Sequence, residues 1–434
     1  MKPLQTRSDC PVCGQAVTAE LRQKGGDLFM VKTCPQHGTV EVPFWKNAEL
    51  YRQAHSLRHP DLLPEGPLDL AADAGQGFVT TYAIDVTTRC NMKCPTCVTA
   101  AEPDSEDDFT AEQLLSWVPE VRPDRRGFRP NISLVGGEST LREDLPQIIR
   151  GLIAKGLVPR LNSNGLLLRE KDRLDRLWEA GLRWVILQFD GFEPQSSIAF
   201  RGKDYSGLKL EVIQALSQRG FAVHLAVMVQ KGVNDHEIGR ILRFAAEQPN
   251  VLRLSFYPRS WIGRFEDEHE GPTHVSDVIG CIQEQTGGQI TERDILDSKR
   301  VGRRLFRLTG HPMFRQRVCI FPFLLMRTGD RLLPVSRLFR VPGMLAHLPQ
   351  AWKLVRYARS LFNYDERAFG ASFLFVNIEK FYDREAFDLD QARNCHHVYL
   401  SAKGAYPFCI YNTFEREIAG DGKESADTVR GITC

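Results

Sequence analysis

A chain of 434 residues, 42% hydrophobic and 25% charged, can bury a full-sized core and has room for two or three domains. Its net charge of +2 selects no class of partner, no nucleic-acid-binding motif is recognisable, and no apolar run is long enough to span a bilayer. Eleven cysteines, odd in number and tightly clustered behind a polar start with no signal peptide, argue against a secreted disulfide framework and for metal binding in the cytoplasm.

The first unit, residues 1–60, carries Cys10-Pro-Val-Cys13 and, about twenty residues later, Cys34-Pro-Gln-His37-Gly. Two knuckles of this kind suit a tetrahedral mononuclear site for zinc or rubredoxin-like iron, with His37 either the fourth ligand or a residue that merely closes the second turn. A Pro/Gly/Asp-rich linker is expected over 61–77. From 78 to 262, strands are predicted at Tyr82–Thr87, Asn131–Val135, Val158–Asn162, Trp184–Phe189, Ala222–Val229 and Val251–Phe256. Helices are predicted between them at Glu143–Lys155, Glu170–Ala180, Leu208–Arg219 and His236–Glu247, the first with Leu145, Ile148, Ile149, Leu152 and Ile153 on one face. Six βα units imply an α/β fold with a parallel sheet, doubly wound or curved into a partial (β/α)6 barrel, and ligands at the carboxyl ends of its strands. Residues 263–434 show no clear repeat and read as an α+β region.

The chemistry gathers at those strand ends. The first strand runs into Asp85-Val-Thr-Thr-Arg-Cys90-Asn-Met-Lys-Cys94-Pro-Thr-Cys97. Three cysteines spaced C-x3-C-x2-C can occupy three corners of a [4Fe–4S] cubane and leave the fourth iron open to a substrate. A zinc loop competes, but it needs a fourth ligand and Asp85–Ala101 holds no His. The second strand ends in Gly136-Gly137-Glu138, where glycines admit a ligand to the backbone and the carboxylate can accept from an amine; a plain strand-to-helix turn capped at Thr140 is the competing reading. The third ends in Asn162-Ser-Asn164-Gly and the fourth in Gln188-Phe-Asp190-Gly, polar groups suited to a ribose or carboxylate.

The cysteine loop, the Gly-Gly-Glu turn and the βα series resemble the radical S-adenosylmethionine (SAM) superfamily over residues 80–260. Several stretches resemble, more narrowly, the group of archaeal pterin-methylating enzymes and tetraether lipid synthase: Cys90–Cys97, Gly136–Leu145, Leu187–Gly191, Lys231–His236 and Pro407–Asn412. With the N-terminal Cys-Pro-Val-Cys the likeness runs nearly end to end; Thr96 departs from the superfamily, where an aromatic residue is common. The resemblance implies reductive cleavage of SAM to a 5′-deoxyadenosyl radical that functionalises an unactivated C–H bond, by C-methylation or C–C bond formation. It implies Cys90, Cys94 and Cys97 as cluster ligands, Glu138 on the SAM amine, and Asn162, Asn164, Gln188 and Asp190 as further contacts beside Gly136 and Gly137. It also favours a metal at the N-terminal knuckles and an auxiliary Fe–S cluster on Cys319, Cys395 and Cys409, with Cys281 or Cys434 needed for a four-cysteine set. A reductant protein such as ferredoxin or flavodoxin would supply the electron. The competing class is a non-catalytic Fe–S or zinc protein for electron transfer or interaction.

From Lys299 to Arg359 there are fourteen Lys or Arg and one acidic residue, Asp330, among many large apolar side chains. That mixture suits a lipid-like anionic substrate or the cytoplasmic face of an anionic membrane. A solvated arginine face over an ordinary core, or a soluble pterin-like substrate, is the alternative.

Overall fold

The computed structural model describes residues 3–60, 68, 79–105, 109–124, 127–265, 272–329, 331–352, 354 and 372–416. Apart from Leu68, the expected linker lies outside them, as do Asp330, Cys434 and the basic residues beyond 352.

The N-terminal unit is a four-stranded antiparallel sheet of β1 (Leu4–Asp9), β2 (Ala16–Lys24), β3 (Asp27–Cys34) and β4 (Gly38–Trp45) in sequential order. The β2–β3 turn is the two residues Gly25-Gly26, with Gly25 at φ 58°, a conformation that twists a tight hairpin correctly and that side chains resist. Helix α1 (Ala48–Leu57) follows, capped by the Asn47 side chain, which accepts from the Leu50 amide at 3.0 Å. Its fully buried Tyr51 meets Phe44 and Trp45 edge-on, at centroid distances of 5.4 and 5.3 Å, and so ties the ribbon to its helix.

The main sheet has eleven strands. Six are β5 (Thr81–Thr87), β7 (Asn131–Gly136), β8 (Val158–Ser163), β9 (Trp184–Gln188), β10 (Ala222–Val229) and β11 (Val251–Pro258), mutually parallel in that spatial order. The short β6 (Thr96–Cys97) lies in the cysteine loop and pairs with β12 (Arg264–Phe265). Helices Leu145–Ala154, Lys171–Glu179, Ser206–Arg219 and Ile238–Glu247 connect the parallel strands. The first buries Leu145, Ile148, Ile149 and Leu152 as its 3.6-residue periodicity predicts.

The C-terminal region enlarges this sheet. β15 (Phe373–Glu379) adds parallel to β11 and carries the antiparallel β13 (Ile320–Thr328) and β14 (Arg331–Pro334). At the other edge β16 (His397–Ser401) adds parallel to β5 and turns back into β17 (Gly404–Pro407). The sheet therefore continues across position 262. Its inward-facing residues, among them Ser133, Asn162, Gln188, His224, Arg253 and Asn377, line a cavity of about 610 Å³. Among the described residues no helix is long and apolar enough to cross a membrane.

Most of the basic segment is absorbed into this architecture. Lys299 is fully buried, its Nζ donating to the carbonyls of Arg317 and Ile320 at 2.7 and 2.5 Å, and burial lowers its pKa to about 7. Arg337 pairs with Asp294, Arg300 and Arg340 pair with Asp297, and Arg327 donates to the carbonyls of Ala246, Gln248 and Val251.

Candidate active site

The cysteine loop leaves β5 and is held by residues from far along the chain. Arg264 donates to the Cys94, Ala100 and Ala101 carbonyls at 3.1, 3.0 and 2.9 Å and pairs with Glu102 at 2.5 Å. Thr96, in the position where an aromatic residue is common in the superfamily, is buried and donates to the Phe200 carbonyl at 3.1 Å. Cys90, Cys94 and Cys97 all line the cavity, and burial pushes the Cys90 thiol up to about 12. Among the described residues, the sets whose ligand atoms all lie within 4.8 Å of one another are Cys10–Cys13–Cys34–His37 and Glu193–His236–Glu237. The three loop thiols are not among these sets.

Gly136 and Gly137 press against the loop's base. A Cβ on Gly137 would sit 1.9 Å from the Arg89 carbonyl oxygen, and one on Gly136, at φ 102°, would sit 2.3 Å from that of Thr87. Glu138 is buried, with Oε1 accepting from the Thr140 amide and hydroxyl and from Ser163 Oγ, and Oε2 accepting from the Asn164 amide at 2.7 Å. The carboxylate both caps the turn Ser139–Leu141 and reaches the cavity, and Oε2 keeps acceptor capacity for an amine. Asn162 Oδ1 is a buried acceptor with no hydrogen-bond partner among the described residues, on the cavity wall. Asn164 bonds Asn91 at 2.7 Å, and its carbonyl accepts from Lys209, whose burial lowers its pKa to about 8. Gln188 donates to Asp190 at 2.9 Å, and Asp190 is paired with Arg201. Of the residues predicted at the four strand ends, Cys90, Cys94, Cys97, Gly136, Gly137, Glu138, Asn162, Asn164 and Gln188 line the cavity, while Asp190 stands behind Gln188 and Arg201.

Arg201, Lys209 and Arg264 escaped the sequence reading, as did a cluster of four residues at the base of the loop. In it Tyr399 donates to Asp85 Oδ1 at 2.5 Å, Arg416 to Asp85 Oδ2 at 2.8 Å, and Tyr411 stacks on Tyr399 at 4.0 Å. Tyr411 opens a π-helical turn, Tyr411–Glu415, of a kind that recurs at functional sites.

In the N-terminal unit the Cys10 and Cys34 sulfurs lie 3.6 and 3.4 Å from His37 Nδ1, spacings suited to a tetrahedral ion. Burial raises the Cys10 thiol, but hydrogen bonds from the backbone at Cys13 and Val12 outweigh it and hold it down to about 6, which favours the ligating thiolate.

The radical SAM superfamily domain matches residues 84–245, and the HMPTM N-terminal zinc ribbon domain matches residues 3–46. The 7,8-dihydro-6-hydroxymethylpterin dimethyltransferase of Methanocaldococcus jannaschii is 32% identical over 79% of this chain and 72% of its own length. The chain belongs to the radical SAM superfamily. The GTP 3′,8-cyclase of Tolumonas auensis is 30% identical over 39% of this chain and 51% of the cyclase. Among solved structures, Streptococcus suis SuiB bound to precursor peptide SuiA shares 13% identity at a TM-score of 0.40, over 66% of this chain and 71% of that one.

As a radical SAM enzyme the protein uses a [4Fe–4S] cluster and SAM, whose reductive cleavage supplies a 5′-deoxyadenosyl radical for an unactivated C–H bond of a small-molecule substrate. The protein's part is to hold, orient and shield the reactants. The non-catalytic alternative is disfavoured.

The C-terminal thiols form a second grouping. Cys395 and Cys409 are buried, Cys319 is partly so, and the three thiols act electrostatically on one another. Arg317 Nη1 donates to Cys395 Sγ at 3.2 Å. Cys281 has Asp235, Asp277, Glu284 and Lys231 among its charged neighbours. His396 and His397, beside Cys395, line the cavity, where burial lowers both well below the usual imidazole range.

Proposed function

We propose that this enzyme C-methylates a pterin-like small molecule bound in the cavity beneath the cysteine loop. The observation that carries the reading is the identity with the archaeal pterin dimethyltransferase over most of both chains, beside the separate match of the HMPTM zinc ribbon domain at residues 3–46. In it Cys90, Cys94 and Cys97 ligate the cluster, Glu138 takes the SAM amine through Oε2, and Asn162, Asn164, Gln188 and Asp190 shape the SAM and substrate contacts. A pterin is preferred to a lipid-like substrate because the basic residues that suggested an amphiphile are largely engaged within the fold.

Residues 1–60 form a mononuclear zinc or iron unit on Cys10, Cys13, Cys34 and His37; 61–77 link it to the core at 78–262; and 263–434 complete the substrate chamber. Cys319, Cys395 and Cys409 hold an auxiliary Fe–S cluster in the same reading. A ferredoxin or flavodoxin in the cytoplasm supplies electrons. A peripheral contact with anionic membranes rests on the exposed Leu308, Phe339, Leu345, Leu348 and Trp352 together with the exposed Arg304 and Arg307.

Anaerobically reconstituted enzyme, reduced with dithionite and given SAM and 7,8-dihydro-6-hydroxymethylpterin, should form 5′-deoxyadenosine and a methylated pterin. Cys94→Ala should form neither and should lose about four irons per chain, one cubane. Deoxyadenosine without methylated pterin would leave the radical chemistry standing and sink the pterin.

A further inference from the structure

We infer that Arg201 is a positioning residue that sets the reduction potential of the cluster through the Cys94 sulfur. This rests on the reading that Cys94 is a cluster ligand.

Arg201 is the last residue of helix Pro194–Arg201, which Gly202 ends at φ 76°. The helix end is fastened to the cysteine loop in both directions: Thr96 Oγ1 donates to the Phe200 carbonyl at 3.1 Å, and Arg201 Nη1 donates to the Thr96 carbonyl at 3.4 Å. The guanidinium is fixed as a fork. Its Nε and Nη2 donate to Asp190 Oδ2 and Oδ1 at 2.7 and 2.8 Å, and Gln188 holds the same carboxylate at 2.9 Å. The Arg201 side chain is 10% exposed and that of Asp190 4%. With Asp190 occupying one edge, Nη1 faces the loop at the Thr96 carbonyl, and Arg201 and Cys94 line the same cavity, where their charges act on one another.

A buried cation held in this way has a defined electrostatic effect. One-electron reduction adds negative charge that a cluster shares with its thiolates, and both an N–H donor and a positive charge beside a ligating sulfur favour the reduced form. Asp190 opposes this, but its charge is spent on the guanidinium it orients. Removing Arg201 alone therefore does more than delete a cation. It leaves Asp190 as an uncompensated anion beside the cluster.

The test is a redox titration of the reconstituted holoenzyme followed by EPR, reading only the signal that changes on adding SAM, so that an auxiliary cluster does not count. Arg201→Gln should lower the ratio of reduced to oxidised cluster at a fixed solution potential about tenfold, or about 59 mV for one electron. Arg201→Lys should lose less, and the double variant Arg201→Gln/Asp190→Asn should recover part of the loss, because the stranded anion is gone. A purely structural role predicts the double variant to be no better than the single one, and that result overturns the inference. So does a wild-type potential in Arg201→Gln. Should Arg201→Gln fail to load iron, the Arg201→Lys potential decides, and a value equal to or above wild type counts against. If Cys94→Ala keeps the SAM-responsive signal, the ligand assignment itself has failed, which is a separate result.

Discussion

Gly137→Ala isolates one requirement of the site. Gly137 has no positive φ, so alanine meets no backbone strain there, and the whole effect is steric. The added Cβ would lie 1.9 Å from the Arg89 carbonyl oxygen and 2.5 Å from its carbon, where real contacts essentially never fall below 3.0 Å. Both partners are backbone, and the same carbonyl accepts the Glu138 amide at 2.8 Å. The two segments must separate by about 1 Å, which moves Arg89, the residue before Cys90, and Glu138 together. Overpacking of this order costs about 1–3 kcal/mol of stability. Misplacing a reacting group by about 1 Å costs about 100-fold in rate. The variant should therefore keep iron near the wild-type content while 5′-deoxyadenosine formation, followed by chromatography at saturating dithionite, falls about 100-fold. Cleavage within about threefold of wild type, with folding intact, would show that the close approach is not what positions SAM.

Cys10→Ser/Cys13→Ser should lose one metal ion per chain by elemental analysis and unfold the ribbon, with the SAM cluster still assembling; unchanged metal content would remove the mononuclear site. Asp388 is buried, which pushes its carboxyl from 3.8 up to about 6 despite a hydrogen bond from Thr6 at 2.6 Å. Its protonated form suits the fold, so its stabilising effect is full below about pH 4 and is lost as pH rises through about 6, a loss of about 3 kcal/mol at neutrality. Asp388→Asn should accordingly narrow the difference in urea midpoint between pH 5 and pH 7, and an unchanged difference would refute the assignment. At low salt the wild type should sediment with anionic but not neutral liposomes, weakened by Arg303→Glu/Arg307→Glu; no sedimentation ends the membrane proposal.

The parallel core was legible because strands buried on both faces are near-continuous apolar runs. Ala222–Val229 spans the residues expected, and the other five strands differ by one or two residues at their ends. The cysteine loop and Gly136-Gly137-Glu138 were legible because local spacing carries their chemistry. Arg201 and Arg264 were not, since each acts on loop atoms more than a hundred residues away in sequence. The partners of the basic run were illegible for a related reason. Composition counts charges but not acceptors, and Lys299 and Arg327 spend theirs on buried carbonyls.

A boundary at 262 separates sequence patterns rather than structural units. Arg264, just beyond it, ties four residues of the cysteine loop together, and Arg416 and Tyr399 grip Asp85 at the foot of that loop. β15 and β16 cover the edges of β11 and β5, which would otherwise present unpaired amides and carbonyls. A chain ending near 262 would therefore keep all three loop cysteines and still lose the clamps that orient them. Cluster chemistry in this protein depends on the C-terminal region even if that region never touches the SAM cluster.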